Sequence, residues 1–597
     1  MVTRAPAPEF VSIGNGAQLA NGTYLNAQRI ANDLVVTSVH AEATGAITIV
    51  DPSDLSTSPS GTPQYNLSLV APTLNVSNNL NMAAESNLYL TVITLNLNAE
   101  FTSGGTLIDP SRVIGTATQV NVLSNTASLQ QAIDIASPTD QVTVQVSPGE
   151  YPGDLTISNA QVALVCTNGD TVIAATNLII GLDSSAATSS VTIYGGTLYV
   201  TNAPATGALD VRNGTLTFSG VMATVDNLLL TNGAFSTMIF SNGTLQAGSA
   251  AVTNGQPFIV GDGADSATYR LLGGTHSFNN GLRIRNNATL SGHGSISGAV
   301  LVDAGGTLWA GDGAGSLGTL TLDASPTLNG NVMAEIYQGN SPSADEVVLS
   351  SGTLTYGGTL MVSNNPSSTL ASGDSFTLFN ASSYSGWFSS VAVPALAGGI
   401  SWDTNKLAAT GVLDIYTFTT TPLTLSTPVN IAAVIPALKL ANHSTSARAA
   451  SSYPTGWTTA VTTPGHGTAS VDGSGNLTYT PSSNYSGSDS FTFTFYDGHG
   501  WQTMAVSVTA GSGNGQTANS VYTGTANGNF VAQFAGIPGY TYTVETNTVV
   551  TGPGWTKEGN YTAPTDNHLG FGVGVFQVMD PIGGVPQLYY RTVYPSY

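Results

Sequence analysis

The chain has 597 residues, more than the roughly 250–300 at which one hydrophobic core stops growing, so several domains or one long stacked core are expected. Charged residues make up 8%, against about 25% in ordinary soluble domains, while 41% are hydrophobic and 68 are glycine; this composition can fold, and it excludes wholesale disorder. Twelve Lys and Arg face 34 Asp and Glu, a net charge of −22, which leaves no basic stripe for phosphates and excludes a nucleic-acid partner.

Cys166 is the sole cysteine, so an internal disulfide and a multi-cysteine metal site are both ruled out, and its setting, QVALVC, is that of a small buried hydrophobe. No apolar run reaches about 18 residues, so no membrane-spanning helix is expected. The opening, MVTRAPAPEF, lacks the apolar stretch of a secretory signal, so a secreted form would follow a leader already removed.

Residues 1–120 form an N-terminal β region. Its strands Leu67–Val70 and Leu88–Leu97, with Asn and Ser at the turns, fit either extra coils of a solenoid or a separate β domain. The best helix candidate is SLQQAIDIA, Ser128–Ala136, in which Leu129, Ala132, Ile133 and Ala136 share one face. Short alternating strands follow, Val142–Val146, Leu155–Ile157 and Val162–Val165, separated by Gly, Pro, Asn and Asp. Helix, then D-x-V-x-V-x-x-G-x-Y, then L-x-I resembles the opening rungs of right-handed parallel β-helices of the pectin-lyase-like type. That resemblance implies a helix near 128–136 capping the first coil, as a stacked core needs at its end.

From Val191 to Thr307 related segments recur: YGGTLYV, VRNGTLTF, LTNGAF, SNGTLQA, VTNGQPF, LLGGTHSF and RNNATL. The pairs Asn213-Gly214, Asn232-Gly233, Asn242-Gly243 and Asn254-Gly255 suit corners with positive φ. Asn-Gly also favours hairpins, so antiparallel pairing competes. Many similar units without large core residues of their own favour stacking.

Residues 288–416 carry GSISG, GGTL, GSLGTLT, DEVV, LTYGGTL, GDSFTLF, YSGWFSS and WD in that order, and are similar to bacterial autotransporter-associated β-strand repeat proteins. The resemblance implies a solenoid closing near Ile415 and a location outside the cell, and it carries no catalytic residues. Residues 421–509 end in GHGTASVDGSGNLTYTPSSNYSGSDSFTFTFYDGHGWQTMAVSVTA, which resembles bacterial cadherin-like, Ig-type repeats. In that family a preceding acidic stretch helps bind calcium; here LANHSTSARAA holds His443 and Arg448 instead. Asp472, Asp489 and Asp497 remain as candidate calcium ligands, the one cofactor considered. A Gly- and Asn-rich linker at 511–519 then leads to residues 520–597, which look like a C-terminal β-sandwich module with Tyr540, Tyr542 and Val544 on one strand and Tyr589-Tyr590-Arg591 on another.

The expected fold class is therefore all-β: a right-handed parallel β-helix over 121–416, then two small β-sandwich (Ig-like) domains, cadherin-like at 417–510 and C-terminal at 520–597.

Signals for chemistry are sparse. Asp262 and Asp265, with Arg270 near in sequence, are the best paired carboxylates, but GDGAD also reads as an ordinary Gly/Asp turn. Arg283 and Arg285 project from one strand face and could hold an acidic ligand. The seven histidines (His40, His276, His293, His443, His466, His499 and His568) never take the i, i+4 spacing of a helical zinc site, and no nucleophile elbow or phosphate loop occurs. The expectation is not an enzyme but a secreted, cell-surface structural protein that self-assembles into a fibre, filament or layer. Its partners would be copies of itself, met head-to-tail or laterally, with adhesive contact to cell-envelope or glycan surfaces. The alternative is a glycan-binding or polysaccharide-cleaving β-helix protein using Trp309, Trp387, Trp402 and Tyr485 as stacking platforms.

Overall fold

A computed structural model describes residues 8–14, 23–158, 161–166, 169–182, 188–313, 315–398, 400–417, 423–428, 430, 432–435, 458–472, 476–496, 501–511, 519–551, 553–566, 569, 574–583, 586–594 and 596. The chain divides into two compact units. One comprises Met1–Thr369, Phe376–Pro394 and Ala408–Gly411; the other comprises Leu370–Ser375, Ala395–Leu407 and Val412–Tyr597.

The first unit is a parallel β-solenoid of about 13 turns. Alternating apolar and polar residues, in strands mostly of three to six residues and up to 17, send every second side chain inward, and parallel pairing stacks like on like from coil to coil. One inward column runs Val11, Ile47, Leu74, Leu95, Val120, Val144 and Leu164. It continues through Ile193, Phe218, Phe240, Val260, Ile284, Val302 and Leu328. All fourteen are buried. At ~4.8 Å between paired strands the column extends roughly 60 Å, and burying each such side chain stabilises the fold by about 1.5–3 kcal/mol. A second column follows the next face, Tyr151, Ile173, Leu198, Ala223, Leu245, Tyr269, Leu290 and Leu308.

This register settles the two open readings of the sequence. Residues 8–122 are coils of the same solenoid, because Phe10–Gly14, Ala46–Ile49, Thr73–Val76, Thr94–Leu97 and Gln119–Val122 stack in one series with Gln141–Val146. The Asn-Gly pairs are coil corners rather than hairpins, since Gly214–Leu230 and Ser236–Val252 pair in parallel over their whole length. Gly243 has φ +100°, and a Cβ there would lie 2.4 Å from the Val221 carbonyl oxygen of the coil beneath, so only glycine fits.

The amphipathic segment forms helix α2, Leu129–Asp134, with the Ser128 side chain accepting from the Gln131 amide at 3.2 Å. It does not cap the solenoid, because strand pairing continues on both sides of it, Leu95 to Val120 and Val120 to Val144. Instead α2 occupies the place of a rung. The Gln131 carboxamide receives the Phe101 amide at 2.8 Å and donates to the Phe101 carbonyl at 2.7 Å. The neighbouring Gln130 does the same to Thr156, at 2.7 and 2.9 Å. A different helix, α1 (Ala27–Asp33), packs its buried Ala27, Ile30 and Ala31 beside Ser53–Leu55, an outer strand of its sheet. Its sequence, AQRIAND, offers too few apolar positions to stand out as periodic.

The second unit holds two β-sandwiches. In the first, Leu423–Pro428, Trp501–Gly511, Gly487–Tyr496 and Thr458–Val461 form one sheet, and Ala433–Ile435, Leu477–Pro481 and Gly467–Val471 the other. Leu425, Leu477, Tyr479, Phe491, Phe493 and Val506 fill the space between, and Val521, Ala535 and Val575 of the C-terminal sandwich belong to the same cluster. That C-terminal sandwich pairs Asn519–Ala526, Asn529–Ala535 and Val575–Pro581 against Thr556–Thr562, Thr541–Asn547 and Tyr589–Val593. Tyr542 and Val544 lie in its core, while Tyr540 is exposed. Residues 512–518 of the expected linker lie outside the described residues.

Gln131 is 5% exposed, so Gln131→Leu leaves the buried Phe101 amide unsatisfied and its carbonyl with the Ile108 amide as remaining donor. The expected loss is about 1–3 kcal/mol in denaturant unfolding of the solenoid, against roughly 0.5 kcal/mol or less for a surface change such as Thr143→Ser.

Candidate functional site

The surface most regularly built is a face of the solenoid. Outward positions flanking the first inward column read Thr73, Thr94, Gln119 and Thr143 on one side and Thr48, Asn75, Asn96 and Asn121 on the other. Parallel stacking puts identical side chains above one another, so the amides form a ladder. Asn75 donates to Thr48 Oγ1 at 3.1 Å, Asn96 to Asn75 Oδ1 at 2.7 Å, and Asn121 to Asn96 Oδ1 at 2.7 Å. On the next face Thr244, Thr268, Thr289 and Thr307 make a hydroxyl row. Neither row contains a charge.

Three buried polar groups escaped sequence reasoning: the partners of Asp345 and Glu335 are mostly 20 or more residues away, and those of His276 lie in its own strand, across a bend that alternation does not reveal. His276 is fully buried; its Nε2–H donates to the Gly273 carbonyl at 3.0 Å, which leaves Nδ1 to accept from the Tyr269 hydroxyl at 2.8 Å. Burial pulls its pKa down to about 4, against the smaller effect of the Gly273 bond. Asp345 accepts from the Gly318 amide, the Trp309 indole and the Glu335 amide at 2.9, 2.8 and 2.8 Å. Burial pushes its carboxyl above the usual range. The adjacent buried Glu335 accepts from the Gly315 amide at 2.7 Å and from Asn365 at 3.1 Å. The pair ties strands to the 311–318 corner; with its oxygens filled by donors, it is a structural anchor.

Of the candidates from sequence, Asp262, Asp265 and Arg285 meet at one corner, and the other described ones stand apart. The Asp262 carboxylate accepts from the Ala264 and Asp265 amides at 2.8 and 3.1 Å, which hold its pKa below the ordinary value and mark a turn. Asp265 accepts from Asn242, and Arg270 pairs with Asp312 at 3.2 Å, where His293 also reaches the carboxylate at 2.7 Å. Arg283 pairs with Asp303 at 2.8 Å, and Arg285 donates to the Asp262 carbonyl at 3.2 Å. In the Ig-like sandwich Asp472 receives the Asn476 backbone and side-chain amides at 2.9 Å each. Asp489 accepts from Gly465, His466, Ser490 and the Tyr479 hydroxyl at 2.8–2.9 Å. Burial works to raise the Asp489 pKa, but these donors outweigh it and lower the value. Asp497, His443, Arg448, His499 and His568 lie outside the described residues. Among the described residues, no three His, Cys, Asp or Glu side chains gather as metal ligands.

The aromatics are largely committed to their own surroundings. Trp309 donates to Asp345, Trp402 is buried, and Tyr485 stacks on His466 with centroids 4.2 Å apart. Trp387 is 66% exposed. Cys166 is half-buried, and burial raises its thiol to about 11.

A family model of a bacterial Ig domain matches residues 414–509, the stretch that forms the first sandwich. No curated protein matches the chain. No helix among the described residues is long and apolar enough to cross a membrane.

One buried and one half-buried group make stability depend on pH with opposite signs. His276 titrates near 6.5 when unfolded and about 4 when folded, so up to about 3 kcal/mol of stability is intact above pH 6.5 and is lost as pH falls towards 4. Asp134 of α2 is raised by burial from 3.8 to about 6, so its cost is present above pH 6 and is relieved as pH falls. Asp134→Asn is expected to exceed the parent at pH 7 by about 2 kcal/mol, allowing for partial solvent screening. That advantage should vanish by pH 4; an equal difference at both pH values in denaturant melts contradicts it.

Proposed function

We propose that this is an extracellular structural protein that self-assembles into a surface fibre, filament or layer and makes adhesive contact with cell-envelope or glycan surfaces. One observation carries the reading: an unbroken inward column through about 13 turns, faced by uncharged Thr and Asn ladders. Such a rod has a rigid, repeating exterior whose period is the coil rise, and the uncharged Thr and Asn rows are the faces on which copies can approach closely despite the net charge of −22. Strand edges at the ends of stacked sheets offer backbone groups for head-to-tail addition, and heterologous contacts of that kind give open filaments. The match to a bacterial Ig domain supports a surface location.

Negative-stain electron microscopy and light scattering across a concentration series, with and without calcium, test this. Elongated multimers or sheets are expected; strictly monodisperse monomers at the highest concentration in both conditions overturn it. The exposed Trp387 favours glycan binding as the second reading. A glycan array answered by parent chain but not by Trp387→Ala would move the assignment there.

A further inference from the structure

One place on the solenoid departs from its own ladder. The first leg of Ser236–Val252 meets Gly214–Leu230 residue by residue, Ser236 through Phe240. On its other edge it meets Phe258–Val260 at a single pair, Phe240 with Val260. The coil above arrives through Thr253-Asn254-Gly255-Gln256-Pro257, where Gly255 has φ +82° and Pro257 has no amide to give a ladder. The coils splay, and a cleft of about 360 Å³ opens between them. That is within the range of small-molecule sites.

Its floor is the interior of the rod. Val191 and Leu216 of the coils below are fully buried, but Met238, next in the same inward column, is half-exposed through the opening. Phe240 and Phe258 line the cleft, and the Phe258 ring packs on Tyr269 and Phe278 with centroids 5.6 and 5.5 Å apart. At the rim stands Arg285, which donates to a backbone carbonyl, that of Asp262, at 3.2 Å. By contrast Arg212, Arg270, Arg283 and Arg591 each hold a carboxylate. The Asp262 carboxylate, also at this rim, is held by the amides of its own turn and feels the Arg285 charge without forming a direct ion pair with it.

We propose that this cleft binds an anionic amphiphile, whose acyl or aryl group enters between the coils over Met238 and Phe258 while its carboxylate pairs with the Arg285 guanidinium. Apolar surface beneath and a cation at the mouth are the two halves such a ligand requires, and the guanidinium fork matches a carboxylate. This site goes beyond the assembly reading and stands apart from it.

Titration calorimetry of the full chain with decanoate, and with decanol as the uncharged counterpart, tests it. Saturable decanoate binding is expected. Arg285→Gln should weaken decanoate about tenfold, the worth of a charge-assisted pair, and leave decanol unchanged. Ile239→Trp, placed on an exposed position at the mouth, should weaken both ligands. Absence of saturable decanoate binding to the parent overturns the proposal. So does parental affinity for decanoate in Arg285→Gln, or for both ligands in an Ile239→Trp protein whose circular dichroism is unchanged.

Discussion

Everything in the first unit depends on parallel strands pairing in register, so that each coil sets its inward residue on the inward residue below. A shift of one residue would turn a column such as Leu74, Leu95 and Val120 to water and bring Asn75, Asn96 and Asn121 inside. The hydrophobic cost of that exchange fixes the register. The same register then produces the amide ladder outside, because identical positions necessarily face identical positions. Core and surface are thus two consequences of one pairing rule.

Helix α2 shows how far the rule can bend. A helix satisfies its own backbone and normally ends a strand stack, leaving the strands on either side with unpaired groups. Gln130 and Gln131 avoid this because a carboxamide offers N–H donors and a C=O acceptor in one plane, and so can meet a peptide unit as another peptide would. Adjacent on the helix, they project to different neighbours, one towards Phe101 and the other towards Thr156. The rod continues past a helical insertion, with the amide and carbonyl of Phe101 and of Thr156 bonded to it.

Much of the architecture was legible in sequence, because period-two alternation and Gly or Asn corners are local signals. Leu155–Ile157 and Leu67–Val70 fall on the strands read from sequence, and the helix at 128–136 is present. What escaped was anything set by the partner coil. SLQQAIDIA looked like a cap because its apolar face is all the sequence displays; the role of its two glutamines depends on backbones about 26 and 30 residues away. The Asp345 anchor escaped for the same reason, whereas the His276 and Tyr269 pair forms within one strand, Ala267–Phe278, across a bend that period-two alternation does not show. The cleft had one local sign, Pro257 at the foot of a strand, but its consequence appears only against the neighbouring ladder.

The acidic excess takes on a different meaning in this setting. Corners are where a solenoid loses its ladder, so backbone amides there need acceptors from side chains. Asp154 receives the amides of Thr176 and Asn177 from the next coil, Asp226 those of Asn202 and Gly207 from the coil before, and Asp323 the Gly298 amide and Ser297 hydroxyl. A carboxylate accepts several such bonds at once and makes each stronger than a neutral acceptor would. Lysine and arginine have no acceptor to offer, so a fold with many corners draws on Asp far more than on Lys. A net charge of −22 then follows from how the turns are held, with no need for a cationic partner to explain it.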